Sequence, residues 1–291
     1  MEDYTLLEKS DVEFTEFKGS FLDTFFGFNY IIQRNKNACL VFGGKKKMPL
    51  GNPDMGLIWE CVSPDNRILY YPSKFFKNFA KCKEKKGVRF IFVYLGIHSM
   101  MKCSEGMNWK AHANMLMYDQ KTNTFYRFEP HGCRFQDTDY DAAQLDILLT
   151  DFLKKHFKAD YQNPKQCCPQ FGIQTIEQMR GKKLEGDPVG FCVAWTLWIT
   201  EFRLKHPNMP FKDLQYEAIR RLDEDNRDMT KFIRNFSQEL IEKRKQILEQ
   251  LPDKIIQKIT KGENFANLSK RELKLLNSLL QKEFTEMITK T

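Results

Sequence analysis

A cysteine at the start of an apolar segment is the first residue in the sequence that could do chemistry. Cys192 belongs to GFCVAWTLWITEFRLKH (190–206), whose first three turns are apolar on nearly every face and therefore predict a buried helix. A thiol there lies near the positive end of the helix dipole and near unpaired backbone N–H groups, which favour the thiolate and can stabilise an oxyanion. Cys192 is a candidate nucleophile, although its position alone more often marks a small buried cysteine.

A histidine and a glutamate are spaced so that they could activate such a thiol. His112 opens a predicted strand, and Glu129 ends the next strand, 17 residues later. With the tight turn QKTN between them, both residues lie near the same end of an antiparallel pair. The carboxylate can then fix the tautomer of the imidazole and stabilise its protonated form. This spacing predicts His112 as a general base oriented by Glu129, with His98 and His131 as competing candidates for the base.

The surrounding pattern predicts the elements that position these residues. Residues 88–97 form a continuous run of β-branched and aromatic residues, which predicts a buried strand beside the hairpin at 112–129. Short strands are also predicted at LIWECV, RILYY and FGIQTIE, and a basic helix at PSKFFKNFAKCKEKK. Helical spacing of apolar residues covers 139–157, 190–206, 210–223, 229–249 and 268–288. Strands followed by helices predict an α+β fold.

Length, composition and charge narrow the class of protein. The chain has 291 residues, of which 42% are hydrophobic, so it is long enough to bury a core. It lacks an apolar run of about 18 residues, so no membrane span is expected. It begins with a polar, acidic segment, so a secretory signal is not expected, and we expect an intracellular protein. Residues 229–291 hold thirteen Lys or Arg and eight Asp or Glu. This balance permits weak nucleic-acid contact through basic C-terminal helices, but a solvated helical face is the commoner interpretation.

The cysteines do not form a metal-binding or disulfide pattern. None of them occurs as CxxC, so neither a zinc ribbon nor a thioredoxin-type site is expected, and a disulfide framework is not expected either. The adjacent pair Cys167 and Cys168 is interpreted as two buried or half-buried loop thiols, because ligands at fixed spacing do not accompany it. The sequence therefore predicts no metal and no cofactor. The eight cysteines are Cys39, Cys61, Cys82, Cys103, Cys133, Cys167, Cys168 and Cys192.

Two segments resemble a known family of thiol proteases. HANMLMYDQKTNTFYRFEPHG and FCVAWTLWITEF are similar to the His-to-acid segment and the nucleophile helix of the adenovirus endopeptidase and of the SUMO- and ubiquitin-like-specific proteases, as in homologues of large DNA viruses. The resemblance covers about residues 88–206. It implies a papain-like α+β fold with a central mixed sheet, a buried nucleophile helix and a catalytic triad of Cys192, His112 and Glu129.

The sequence departs from the pattern of that family at three points. Ala113 stands where an aromatic residue usually follows the histidine, and Val193 stands where glycine usually follows the nucleophile. The family also places an oxyanion-hole glutamine a few residues before the cysteine, whereas residues 182–191 contain none. The nearest glutamines are Gln178, Gln174 and Gln170. Gln174 fits best, through a loop insertion at about 179–189, and Gln170 is the alternative.

The resemblance implies a cysteine protease that hydrolyses peptide or isopeptide bonds. Its protein substrate would be a viral polyprotein or a ubiquitin-like conjugate, in the host cytoplasm or the virion if the protein is viral. Two other functions stay open at this point: a bacterial effector type of acetyltransferase that uses a His–Glu–Cys set, and a non-catalytic protease-fold binding protein. The predicted organisation is an N-terminal extension packed on the core (1–87), a catalytic core (88–224) and a helical basic C-terminal region (225–291).

Overall fold

A seven-stranded mixed sheet forms the centre of the protein. The computed structural model describes residues 15–41, 56–63, 66–103, 106–134, 140–181, 184, 187–188, 190–224, 228–260 and 265–289. The strands are β1 (Ala38–Leu40), β2 (Gly56–Ser63), β3 (Asn66–Tyr70), β4 (Phe90–Cys103), β5 (Gly106–Asp119), β6 (Thr124–Phe128) and β7 (Asp160–Gln162). They run in the order β3-β2-β4-β5-β6-β7, and β1 pairs with β4 on the same edge of β4 that pairs with β2.

Helices cover both faces of this sheet, so the architecture is mixed α/β. They are α1 (Phe21–Gln33), α2 (Phe75–Glu84), α3 (Ala142–Phe157), α4 (Pro164–Cys167), α5 (Ile173–Arg180), α6 (Cys192–Lys205), α7 (Phe211–Glu224), α8 (Met229–Leu248), α9 (Asp253–Thr260) and α10 (Lys270–Thr289). Helices α2 and α3 pack on one face, and α1 and α6 to α10 form the other layer. None of the described helices is long and apolar enough to cross a membrane.

The central strand β4 shows why both faces of the sheet are covered. Phe90 and Phe92 point into the layer that contains α6, whereas Ile91 and Val93 point into the layer that contains α2 and α3. Successive side chains of a strand point to opposite faces, so a run that is apolar at every position must be buried on both sides. The continuous apolar run in the sequence predicts this strand correctly, and the 14-residue pairing of β4 with β5 anchors the hairpin that follows.

Most predicted helices and strands are confirmed, but the strand predicted at 171–177 is wrong. Residues Ile173–Arg180 form helix α5, with Gly172 at its N-cap. Ile173 and Ile176 are three residues apart and lie on one helical face against the core. A segment of seven residues is too short for this helical spacing to be recognised from the sequence. In addition, α1 precedes the sheet, at a segment for which the sequence predicted neither helix nor strand.

A disulfide is present where the cysteine pattern predicted none. Cys39 of β1 and Cys82 of α2 are bonded, with their Cα atoms 5.7 Å apart. The bond joins residues 43 positions apart that only the packing of α2 on the sheet brings together. By contrast, Cys167 and Cys168 are free buried thiols, and both donate to the backbone carbonyl of Arg127.

Both flanks of the predicted core contribute to the same buried layer. Leu22 of α1, Leu197 of α6, Ile233 of α8 and Leu280 of α10 belong to one contiguous apolar cluster. The division at residues 87 and 225 stays a prediction. The buried layer nevertheless means that the nucleophile helix is packed between an N-terminal helix and C-terminal helices.

Candidate active site

The cysteine predicted as a nucleophile begins helix α6. Cys192 is the first helical residue, after Phe191 at the N-cap, and α6 packs on β5 and on α1. Nearly all of the helix is buried behind this residue, so its N-terminus is fixed against the sheet while the Cys192 side chain stays partly accessible. The backbone N–H groups of Ala113 and Val193 hydrogen-bond the Cys192 sulfur.

His112 lies between Cys192 and Glu129. Its Nε2 atom is 2.6 Å from Oε1 of Glu129, and the same ring is within hydrogen-bonding reach of the Cys192 thiol. Because Nε2 already meets Glu129, we infer that Nδ1 is the ring nitrogen that faces Cys192. The structure thus brings together all three residues predicted from the spacing, in the order cysteine, histidine, glutamate.

The charges of this group favour a thiolate beside an imidazolium. Burial raises the pKa of the Cys192 thiol, but the hydrogen bond and charge of His112 outweigh burial and bring the pKa below its ordinary value. Burial lowers the pKa of His112, but the charge of Glu129 and the hydrogen bond to Cys192 raise it to about 10. Burial also raises the pKa of Glu129, yet His112 and Arg127 hold that pKa well below its usual range. At neutral pH Glu129 and His112 are therefore both charged, and His112 shifts the Cys192 thiol towards the thiolate.

A buried polar network holds the carboxylate of Glu129. Oε2 accepts from Nδ2 of Asn114 at 2.9 Å and from the hydroxyl of Tyr140 at 2.5 Å, and Oε1 also accepts from the backbone N–H of His131 at 3.0 Å. Glu129 itself is fully buried. A buried carboxylate with this many donors is oriented in one direction and stays ionised.

Arg127 completes this network from behind. The guanidinium is fully buried and donates to Oδ1 of Asn114 and to the hydroxyl of Tyr140, each at 2.8 Å. It also pairs with Asp146, at 3.0 Å. Arg127 therefore fixes two of the four donors of Glu129, namely Asn114 and Tyr140, and supplies a compensating positive charge for a buried carboxylate.

Replacing Arg127 by methionine is expected to lower the free energy of unfolding by about 3–5 kcal/mol, because Asp146 loses the buried cation that it pairs with and Glu129 is left with His112 alone. Urea denaturation of both proteins measures the change. Arg220→Met is the control: Arg220 makes an exposed pair with Glu217, so its loss should cost less than about 1 kcal/mol. Equal, small effects of the two substitutions would show that the network contributes no such stability.

The turn after β6 connects Glu129 to helix α5. The carbonyl of Pro130 accepts from the backbone N–H of Gln174, and the carbonyl of His131 accepts from the N–H of Gly172. Gly132 has φ of +82°, and a Cβ there would overlap the backbone of residues 169–172. Gly132 of the segment EPHG is therefore needed for the close approach of this turn to residues 169–172. The hydrogen bonds of the turn also position the first turn of α5 relative to Glu129.

The two candidate glutamines for the oxyanion hole lie in different places. Gln174 is only 2% exposed and lines the same cleft as Cys192, whereas Gln170 is exposed and is absent from the described lining of that cleft. The side-chain amide of Gln174 lies against Gly190, where a Cβ would overlap it. This arrangement favours Gln174 over Gln170, and its catalytic role stays a prediction.

The two competing candidates for the base, His98 and His131, occupy the walls of the cleft. The ring of His131 stacks on His112 with centroids 4.8 Å apart and an interplanar angle of 9°, and His98 lies farther along β4 with Glu60 at 3.9 Å. The cleft has a volume of about 770 Å³ and is also lined by Tyr94. Neither His131 nor His98 holds the position between Cys192 and Glu129, so the geometry favours His112 as the base.

Within the described residues, one cluster of side chains has its ligand atoms close enough together to suggest a metal site. The ligand atoms of His112, Glu129 and His131 all lie within 4.8 Å of one another. However, Nε2 of His112 and Oε1 of Glu129 are 2.6 Å apart, the length of a hydrogen bond, whereas two ligands around a tetrahedral Zn²⁺ stand about 3.3 Å apart. The arrangement therefore fits a hydrogen-bonded base and its carboxylate.

Comparisons with known proteins leave the family of the chain open. No protein-family model matches it. The chain is 24% identical, over 273 residues, to a putative ankyrin repeat protein of Acanthamoeba polyphaga mimivirus; the match covers 85% of this chain and 34% of that protein. The chain thus spans about a third of the length of this relative.

Two solved structures of bacterial effector proteins show a distant likeness. ChlaDUB1 of Chlamydia trachomatis is 12% identical, with 77% of this chain and 71% of that chain covered and a TM-score of 0.32. RavZ of Legionella pneumophila is 10% identical, with 94% and 83% covered and a TM-score of 0.39. Likeness at these scores defines neither the family nor the activity of the chain.

Sequence reasoning missed the residues that support Glu129. Asn114 follows His112 by two positions and so lies on the same face of β5, and a polar residue there within an apolar strand is a signal that the pattern offered. Arg127, a charge inside the apolar strand β6, is a second such signal. Nothing in the local sequence marks Tyr140, which reaches Glu129 from the start of the segment that leads into α3.

Proposed function

We propose that the protein is a cysteine hydrolase that cleaves peptide or isopeptide bonds through Cys192, His112 and Glu129. The observation that carries this proposal is the position of His112, which hydrogen-bonds the thiol with one ring nitrogen and Glu129, at 2.6 Å, with the other. This is the arrangement in which a histidine both keeps a thiolate available and can later deliver a proton.

The reaction follows from these contacts. The Cys192 thiolate attacks the carbonyl carbon of the scissile bond, and the negative charge that develops on the oxygen is stabilised by the backbone N–H of Cys192 and by the amide of Gln174. The His112 imidazolium gives its proton to the departing amine, which leaves a thioester on Cys192. His112, now neutral, takes a proton from water, and the resulting hydroxide equivalent releases the acid and regenerates the thiolate. Glu129 keeps the ring aligned throughout.

The pH dependence of alkylation tests the thiolate–imidazolium pair without a known substrate. Because His112 lowers the pKa of Cys192, iodoacetamide should modify this residue faster at pH 6 than it modifies an ordinary thiol, of which less than about 1% is ionised at that pH. In His112→Ala the rate at pH 6 should fall by about tenfold or more, and it should recover only as the pH rises towards the ordinary thiol pKa. Peptide mass spectrometry assigns the label to Cys192 among the cysteines.

The same experiment has an internal reference. Cys133 is partly buried and its pKa is raised by burial, so its alkylation should follow the profile of an ordinary or weaker thiol in both proteins. Identical profiles for Cys192 in the wild type and in His112→Ala would contradict the proposal. Slow modification of Cys192 at every pH would instead favour a protein that only binds.

A panel of electrophilic probes identifies the substrate class. Ubiquitin and ubiquitin-like proteins that carry a C-terminal electrophile report on a deconjugating protease, whereas peptides with the same electrophile report on processing of a polyprotein. Labelling that requires Cys192 is the expected result for one of the two sets. Incubation with acetyl-CoA is the third arm, because a stable acetyl group on Cys192 that passes to a protein amine would favour an acetyltransferase over a hydrolase.

A further inference from the structure

Helix α8 contacts the chain segment that leads into the nucleophile. The guanidinium of Arg234 donates to both carboxylate oxygens of Asp187, at 2.8 and 2.5 Å. The side chains of this pair are only 5% and 1% exposed. Asp187 also accepts from the backbone N–H of Leu184 at 2.7 Å. A helix of the predicted C-terminal region therefore binds the segment before Cys192, which joins α5 to α6, through a buried, bidentate ion pair.

A second contact holds the beginning of the same segment. Oγ1 of Thr230, in the first turn of α8, donates to Oε1 of Glu177 at 2.9 Å. The hydroxyl also lies against Gly181, where an added Cβ would overlap it. The end of α5 and the residues before Cys192 are thus both attached to one face of α8, about one turn apart.

The other side of this segment faces the cleft. Asp187, Pro188 and Gly190 line the cavity together with Cys192, and Gly190 touches the amide of Gln174. A shift of this segment would therefore change the distance between Gln174 and the N-terminus of α6. Those are the two groups to which the proposed mechanism assigns the oxyanion.

We propose that Arg234 is a positioning residue, and that α8 acts as an internal clamp which holds the segment before Cys192 in its active geometry. The clamp consists of the pairs Arg234–Asp187 and Thr230–Glu177. This inference rests on the proposed function for its effect on catalysis. It also assigns a role to part of the basic C-terminal region: Arg234 is bound internally, and so is Arg244, which pairs with Asp23 at 2.5 Å.

The physical basis is the cost of a buried, unpaired charge. If Arg234 is removed, the carboxylate of Asp187 loses its buried cationic partner, and a movement of its segment away from α8 would return that carboxylate to water. The Cys192–His112 contact does not involve that segment, so the thiolate should survive. The oxyanion contacts do depend on it, and a displacement of about 1 Å in such a site can lower turnover about 100-fold.

The experiment compares Arg234→Ala with Arg89→Ala, which removes another bidentate arginine–aspartate pair. Its partner Asp119 ends β5, at the opposite end of that strand from His112, and neither Arg89 nor Asp119 is among the described residues that line the cleft. Arg234→Ala should lower kcat by about tenfold or more with KM changed less than about threefold, and Arg234→Lys should recover part of kcat. Alkylation of Cys192 by iodoacetamide should change less than about threefold in every variant. Arg89→Ala should retain the kcat of the wild type.

Limited proteolysis tests the clamp without a substrate. Arg180, the last residue of α5, offers a trypsin site beside Gly181, which Thr230 contacts. Cleavage after Arg180 should be about tenfold faster in Arg234→Ala than in Arg89→Ala, because local opening is no longer opposed by the ion pair. If Arg234→Ala does not fold, Thr230→Val, which replaces the hydroxyl by a methyl group, should show faster cleavage and a lower kcat.

Two results would overturn the clamp. One is an equal loss of kcat in the Arg234 and Arg89 variants, which would indicate a general stability effect. The other is a rate of cleavage after Arg180 that is the same in the wild type, in Arg234→Ala and in Thr230→Val. A wild-type protein without thiol reactivity at Cys192 would sink the proposed function instead. The trypsin comparison would then still support or refute the attachment of the segment to α8, so the two failures are distinguishable.

Discussion

Replacement of Cys192 by alanine is expected to abolish hydrolysis of any probe substrate, with a loss of at least about 10⁴-fold in kcat. The substitution removes the only atom that forms the acyl intermediate in the proposed mechanism, and water in the cleft does not replace a thiolate. The side chain is small and only partly buried, so the free energy of unfolding should change by less than about 1 kcal/mol. Steady-state hydrolysis and urea denaturation measure the two effects.

Cys133→Ala is the matched control for this prediction. Cys133 is a free, partly buried cysteine that follows the turn after β6, and it is not among the described residues that line the cleft. Its replacement should leave kcat within about twofold of the wild type. Residual hydrolysis by Cys192→Ala at more than a hundredth of the wild-type rate would mean that another group attacks the substrate, and the proposed mechanism would fail.

Replacement of Glu129 by glutamine is expected to lower kcat by about 10²–10⁴-fold while the fold is retained. Glutamine has nearly the same shape, but it presents an amide where Asn114 and Tyr140 both donate to a carboxylate oxygen. The His112 imidazolium also loses the charge that raises its pKa to about 10, so that pKa falls. The alkaline limb of the pH–rate profile, set by loss of the imidazolium proton, should therefore move to lower pH.

The same change has a consequence for stability. A histidine whose pKa in the folded state is raised to about 10 contributes stability that is complete below its unfolded value of about 6.5 and is lost as the pH rises through 10. Glu129→Gln should remove this contribution, so the destabilisation of the variant should be greatest near pH 6, decrease as the pH rises from about 6.5 to 10, and be small above pH 10. Thermal denaturation as a function of pH measures the difference.

Glu283→Gln serves as the control for Glu129→Gln. Glu283 is also a buried glutamate and accepts a hydrogen bond from Asn29 at 3.0 Å, but it is absent from the described lining of the cleft. This control should keep the pH–rate profile of the wild type. An unmoved alkaline limb in Glu129→Gln, or an equal movement in both variants, would contradict the assigned role of Glu129.

Local patterns in the sequence predicted most of the elements that carry the site. The apolar run at 88–97 and the alternation at 112–129 gave the strands, because burial on one or both faces dictates which positions are apolar. The segment 171–177 was predicted wrongly as a strand, because seven residues are too few to distinguish the period of a helix from that of a strand. Helix α1 was not predicted, because its buried residues include polar ones such as Asn29 and Asp23.

By itself, the sequence determined the types of the reactive residues and the spacing of His112 and Glu129, because a hairpin fixes which residues of two neighbouring strands come close. Only the tertiary structure decided that Gln174 rather than Gln170 lines the cleft, that Arg127 and Tyr140 hold Glu129, and that Arg234 binds the segment before the nucleophile. The contacts of Tyr140 and Arg234 join residues 11 and 47 positions apart, and they depend on how the helices and the segments between them pack on the sheet. Packing of that kind is a property of the whole buried core, so no local pattern encodes it.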